Sequence, residues 1–308
     1  MRQFKRPVAI FASLLLIGSF LRAEETPGKT MMWKVTGEGS EIYLLGSIHV
    51  MKKEIYPLAK ELEDAFAKSK FLVIEASEPD PLAMQKMIME KGMYPPGDSL
   101  SKHLSKPVQD SLAAYEKKAG LPGAMLEQMR PWMTAVTLSI TVMMKMGFDP
   151  EMGIDKHFIN AAKASNKKIL ELESADFQIS LLSGFSDDLQ EKFLSSTLLE
   201  IDDMQGQIEK MVTAWSKGDA VEMNKILTEQ VTKKPELKSV FEKLVDNRNV
   251  EMAKKCEEYL KTKDTYFVVA GAAHMVGDKG IVKLLQNKNY KVEQVMASGK
   301  KAEPVPEK

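Results

Sequence analysis

Two stretches of this chain share one design: Ile42–His49 reads Ile-Tyr-Leu-Leu-Gly-Ser-Ile-His, and Tyr266–His274 reads Tyr-Phe-Val-Val-Ala-Gly-Ala-Ala-His. Each is a run of apolar, β-favouring residues that ends in Gly-x-x-His. Two of the chain's four histidines thus fall at matching points of segments more than two hundred residues apart. A fold that brings the two strand ends together explains this simply.

The flanking sequence extends the match. After His49, Leu58, Leu62, Ala65 and Phe66 recur at helical spacing up to Lys68, and Phe71–Ile74 reads as a buried strand that stops at Glu75. After His274, a helix through Gly280–Gln286 leads to a strand at Tyr290–Val295. A hairpin precedes the first motif, with arms Met32–Thr36 and Glu41–Leu45 around Gly37-Glu38-Gly39-Ser40. Between the two units the chain turns helical and methionine-rich from Pro79 to Phe148, restarts a helix at Gly153–Lys163, and forms a short strand at Lys168–Leu172. Residues 176–263 are again helical. The pattern predicts an α/β fold: a mixed central β-sheet built from two related strand–Gly-x-x-His–helix–strand units, with a large helical insertion at about 79–263. One domain is expected over residues 24–298, with a disordered Pro- and Lys-rich tail at 299–308.

The first residues follow the plan of a secretory signal peptide: Arg2, Lys5 and Arg6, an apolar stretch Val8–Ile17, then Gly18, Ser19 and a cut after Ala23. An exported protein, periplasmic or secreted, is therefore expected. Removing residues 1–23 takes away four basic and no acidic residues, which leaves 39 basic against 43 acidic. So mild an acidity argues against a nucleic-acid partner. The most apolar later segment, Pro131–Met144, carries Thr134, Thr137, Ser139 and Thr141 and is too short to span a membrane. Cys256 is the single cysteine, which excludes an intramolecular disulfide and a thiolate metal cluster. The 21 methionines invite a copper(I) reading, but their helical spacing favours core packing.

Strand ends that lead into helices are where α/β sheets gather ligands. Gly46 and Gly271 let the main chain bend and a ligand approach, and His49 and His274 then reach the cleft. Two neutral imidazoles beside the carboxylate of Glu75 make an incomplete divalent-metal site with open positions, a combination suited to hydrolysis. His49, Glu75 and His274 are the candidate catalytic and metal-binding residues. Asp155 and Arg248 are supporting candidates, Asp155 as a helix cap or an orienting carboxylate, Arg248 as a partner for Glu173 or a clamp on substrate. His157 and His103 read as structural. Ser47 lacks the Gly-x-Ser-x-Gly elbow of a serine nucleophile.

These residues carry a resemblance. Tyr43-Leu44-Leu45-Gly46-Ser47-Ile48-His49, Glu75, Gly153-Ile154-Asp155, Leu172-Glu173, Arg248-Asn249 and Gly271-Ala272-Ala273-His274 resemble the TraB/PrgY/GumN family, over approximately Trp33 to Val295. Its wider superfamily includes the Tiki-type metalloproteases and the erythromycin esterase-like and ChaN-like proteins. The resemblance implies a Tiki-like α/β fold and proteolysis of peptide or protein substrates with a divalent ion of Mn or Co type, His49, Glu75 and His274 taking the site roles by motif position. The esterase-like branch implies histidine and glutamate chemistry without a metal, and the ChaN-like branch implies haem binding without turnover.

Overall fold

In the computed structural model, which describes residues 28–299 apart from residue 122, the apolar runs become six strands. They are β1 (Gly28–Thr36), β2 (Glu41–Ser47), β3 (Phe71–Ile74), β4 (Lys168–Glu171), β5 (Thr265–Gly271) and β6 (Lys291–Ala297). The expected signal peptide at 1–23 and all but the first residue of the expected tail at 299–308 lie outside the described residues. One sheet holds all six strands, in the order β4-β3-β5-β2-β1-β6. β2, β5, β3 and β4 pair in parallel, whereas β1 runs antiparallel to both β2 and β6. The expected hairpin is present, with Thr36 opposite Glu41 and Met32 opposite Leu45.

Burial explains the order. Tyr266–Gly271 of β5 are all buried, as a strand covered on both faces must be, and their sequence is a continuous apolar run. The edge strands β4 and β6 mix exposed with half-buried positions. Phe267 packs against Phe66 and Phe158 with ring centroids 5.6 and 4.7 Å away, while the adjacent Tyr266 stacks on Tyr259 at 4.5 Å. Successive strand residues point to opposite faces. The Lys60–Lys68 and Ile154–Ala164 helices therefore cover one face and the Asn247–Leu260 helix the other. Each buried phenylalanine contributes about 1.5–3 kcal/mol to this core.

The helical insertion enters after β3 and returns before β5, contributing β4 to the sheet on the way. It carries a second apolar cluster in which Leu104, Val108 and Leu112 meet Leu138 and Leu194. Among the described residues no helix is long and apolar enough to cross a membrane.

The two Gly-x-x-His units differ in local form. Across β2 and β5 it is Ser47, not Gly46, that stands level with Gly271. His49 lies in an irregular loop, while His274 lies on a one-turn helix, Ala272–Met275. Two alanines after Gly271 favour a helical turn, whereas the residue after Gly46, Ser47, still belongs to the strand.

Candidate active site

The parallel strands end side by side and deliver the polar residues to one edge of the sheet. The loop after β2 brings His49, the one-turn helix after β5 brings His274, and Glu75 and Glu173 follow β3 and β4. Glu75 stands between the two imidazoles: its Oε2 is 4.0 Å from His49 Nε2 and its Oε1 is 3.7 Å from His274 Nε2.

Each ring is held from behind at Nδ1. The Asn249 amide nitrogen donates to the Lys279 carbonyl at 2.9 Å, which turns the amide oxygen to His274 Nδ1 at 2.6 Å. An amide oxygen only accepts, so His274 carries its proton on Nδ1 and presents a lone pair at Nε2. His49 Nδ1 lies 3.2 Å from Asp155 Oδ1, a close charge pair in which the oxygen is buried and has no aligned hydrogen-bond partner. Asp155 sits in the first turn of the Ile154–Ala164 helix, an end that favours negative charge. The Ile154 N–H donates to the Ile48 carbonyl at 3.1 Å, and a side chain at Gly153 would strike the His49 carbonyl. That glycine permits the close approach.

Arg248 fixes the carboxylates. Its Nη2 donates to Glu75 Oε1 and, at 2.7 Å, to Glu173 Oε2; its Nε donates to both Glu173 oxygens. Gln178 Nε2 donates to Glu75 Oε1 at 2.8 Å, and the Gly271 N–H to Glu75 Oε2 at 3.0 Å. Arg248 is thus engaged within the protein and does not stand free as a substrate clamp.

These surroundings separate the three titrations. Burial, aided by the charges of Arg248 and His49, lowers the His274 pKa to about 4 against the pull of Glu75. Burial alone would raise Glu75, but the charges of His274, His49 and Arg248 and the Gly271 N–H bring it to about 2. For His49, desolvation is outweighed by the contact with and charge of Asp155 and by Glu75, which raise it to about 9. The ring is 59 % exposed, so water in the cleft screens those charges.

Stability should therefore peak near pH 6.5. The unfolded chain protonates its histidine at 6.5 before His274 does at about 4, so stability falls by about 2–3 kcal/mol across that interval. Glu75 favours the fold above its ordinary 4.5, a contribution lost as pH falls to about 2. His49 acts oppositely, favouring the fold below 6.5 and losing that contribution as pH rises through about 9. Urea melts from pH 4 to 9 check this, and His274→Asn should flatten the limb between 6.5 and 4.

A cleft of about 260 Å³ is lined by Ser47, His49, Glu75, Asp155 and Gln178, with Ile74, Ile159 and Val269 as apolar wall. Gly271 keeps it open. A Cβ there would stand 3.3 Å from His49 Nε2, 3.6 Å from His274 Cδ2 and 3.7 Å from Glu75 Oε2. Gly46 has a packing role, since a Cβ would meet Ala272 Cα and Met31 Cγ at 3.1 Å.

The profile of the TraB/PrgY/gumN family matches residues 31–294, a span that takes in every residue of this cleft. The chain belongs to the TraB/PrgY/gumN family. Proteins of Escherichia coli (strain K12) and Shigella flexneri, each named uncharacterized protein YbaP, are 25% identical to this family member over 247 residues, which is 79% of this chain and 87% of theirs. An uncharacterized protein of Treponema pallidum (strain Nichols) is 20% identical over 205 residues, 65% of this chain and 61% of its own. No solved structure gives a significant match. Membership establishes the family and leaves the chemistry to be argued from the site.

The remaining candidates of this TraB/PrgY/gumN chain lie elsewhere. His157 Nε2 meets Glu63 Oε1 at 2.7 Å and its ring packs on Tyr56 and Phe158, tying two helices together. His103 stacks on Tyr94 and pairs with Asp98. Cys256 is fully buried, and burial pushes its thiol up to about 12. Gln178 escaped the sequence reading, and so did the role of Asn249. Both act from helices of the insertion where no local pattern marks them.

Proposed function

We propose that this TraB/PrgY/gumN protein is an exported, metal-dependent hydrolase that cleaves peptide bonds. The observation that carries the reading is that each imidazole meets a polar group at Nδ1, His274 through a hydrogen bond with Asn249 and His49 as the charge partner of Asp155 at 3.2 Å, with both Nε2 atoms turned to the one carboxylate of Glu75. Histidine ligands typically give their other ring nitrogen to a carboxylate or carbonyl in this way. Among the described residues no three His, Cys, Asp or Glu side chains form a preformed metal-ligand group. The donors stand as two pairs sharing Glu75, at 4.0 and 3.7 Å. Ligands at about 2.0–2.2 Å from one ion lie about 3–4 Å from each other, which is the spacing within each pair.

His49, His274 and Glu75 would hold that ion, which when bound would polarise a carbonyl and acidify a water. Arg248 and Gln178 hold the Glu75 carboxylate in place, and Gly271 leaves room for the scissile group. Purified protein should lose activity on a peptide library in chelator and regain it with Mn or Co, and His49→Ala or His274→Ala should abolish it. Asp155→Ala and Asn249→Ala should weaken Mn binding about 10–100-fold by calorimetry. Activity that survives both histidine variants would falsify the assignment.

One observation favours a second reading. Both Nε2 atoms face Glu75, and their surroundings push the two histidine pKa values apart, to about 4 and about 9, so at neutral pH His274 offers a base and His49 an acid on either side of that carboxylate. A metal-free hydrolase of this kind keeps its activity in strong chelator.

A further inference from the structure

We propose that Ser47 is a catalytic residue whose hydroxyl donates a hydrogen bond to the substrate's carbonyl oxygen as that oxygen gains charge; this rests on the hydrolase reading. Ser47 ends β2, is 2 % exposed, and its Oγ has no hydrogen-bond partner. Buried hydroxyls are normally satisfied, and an orphan that lines a cleft takes its partner from whatever enters. Ser47 lines this cleft together with His49 and Glu75.

Its place in the sheet says what it faces. Ser47 is level with Gly271 on the neighbouring parallel strand. Partners in register point to the same side of a sheet. The missing side chain of Gly271 is the space bounded by His49 Nε2, His274 Cδ2 and Glu75 Oε2, so the Ser47 hydroxyl flanks the point where those groups converge.

The donor inventory narrows the role. Of the side chains lining the cleft, only Ser47, His49 and Gln178 carry hydrogen-bond donors. Gln178 gives its amide hydrogens to Glu75 and Glu173. His49 belongs to the acid or metal-binding machinery. Ser47 is left to meet a developing oxyanion. A nucleophilic serine would need a base on its hydroxyl, and no hydrogen bond joins Ser47 to either histidine.

In the step proposed, the oxygen of water bonds to the carbonyl carbon and the C=O π pair moves onto oxygen, which accepts the Ser47 O–H hydrogen bond. In the metal-free reading the water's proton passes to His274 Nε2, which faces Glu75 beside the Gly271 space, and then to the departing nitrogen as C–N breaks. Ser47 keeps its own proton throughout. One carboxylate and one amine leave.

The test compares wild type, Ser47→Ala and Ser47→Thr on the peptide library, with thermal melts of all three. Ser47→Ala is expected to lower kcat about 100-fold, the effect of losing one oxyanion donor. KM should stay within about threefold, the pH profile should keep its shape, and the melting temperature should not fall, because the alanine removes an unsatisfied group. Ser47→Thr should recover most of kcat. An active wild type with an equally active Ser47→Ala overturns the assignment alone, and so does a loss of activity that follows a lowered melting temperature. A wild type inactive on the whole library overturns the hydrolase reading and takes the Ser47 role with it.

Discussion

Replacing Arg248 by alanine is expected to lower the free energy of unfolding by about 3–5 kcal/mol at pH 7. The guanidinium is 10 % exposed and lies between two carboxylates, Glu75 at 14 % and Glu173 at 7 % exposed. Without it, two buried anions face each other with Gln178 and the Gly271 N–H as their remaining named donors. An uncompensated buried charge is among the few single changes that reach this magnitude. The deficit should shrink as pH falls toward 4, since losing the Arg248 charge lets Glu75 take up a proton there and shed the charge that the variant cannot neutralise. Arg248→Lys should recover only part, because one ammonium cannot hold both carboxylates in a fork. Arg248→Met combined with Glu173→Gln should recover more than additivity predicts, which a double-mutant cycle in urea would measure. A deficit below about 1 kcal/mol, or one independent of pH, would mean that the carboxylates are solvated and the network is ornamental.

Arg248 also shows what sequence can and cannot disclose here. His49, Glu75 and His274 were legible because each closes an apolar run, and an apolar run that stops at a polar residue marks a strand end whether or not its neighbours are known. Pairing with Glu173 was one of two roles open to Arg248, and nothing in an isolated helix chooses between them. The choice belongs to the strand order. β5 pairs between β2 and β3, and β4 adds on beyond β3, so Glu75 and Glu173 come to adjacent strand ends. Strand pairing between residues two hundred positions apart is a property of the packed sheet and leaves no local periodicity. Gln178 stayed hidden for the same reason, as an ordinary polar residue on an insertion helix. The two Gly-x-x-His motifs looked equivalent, yet the structure offsets them by one residue and gives them different backbones. That offset sets Ser47 beside Gly271 and leaves its hydroxyl without a partner.

Gly271→Ala is expected to reduce activity about 100-fold and to leave the fold intact. Its φ of −50° lies in a region open to any residue, so alanine brings no backbone strain and removes some freedom from the unfolded chain. The new methyl would enter the space shared by His49 Nε2, His274 Cδ2 and Glu75 Oε2, which the proposed hydrolysis leaves for a scissile carbonyl or an ion. A misplacement of the reacting groups by about 1 Å suffices for a loss of that size. Melts should show a change within about 1 kcal/mol, and both Mn binding and kcat should fall together. Gly153→Ala is the control, because its methyl would collide with the His49 backbone carbonyl, and a rigid main chain yields less readily than an exposed ring. That variant should lose stability and activity in parallel. If Gly271→Ala instead keeps full activity, the reacting groups do not meet above Gly271, and the convergence of His49, Glu75 and His274 serves the fold and not the chemistry.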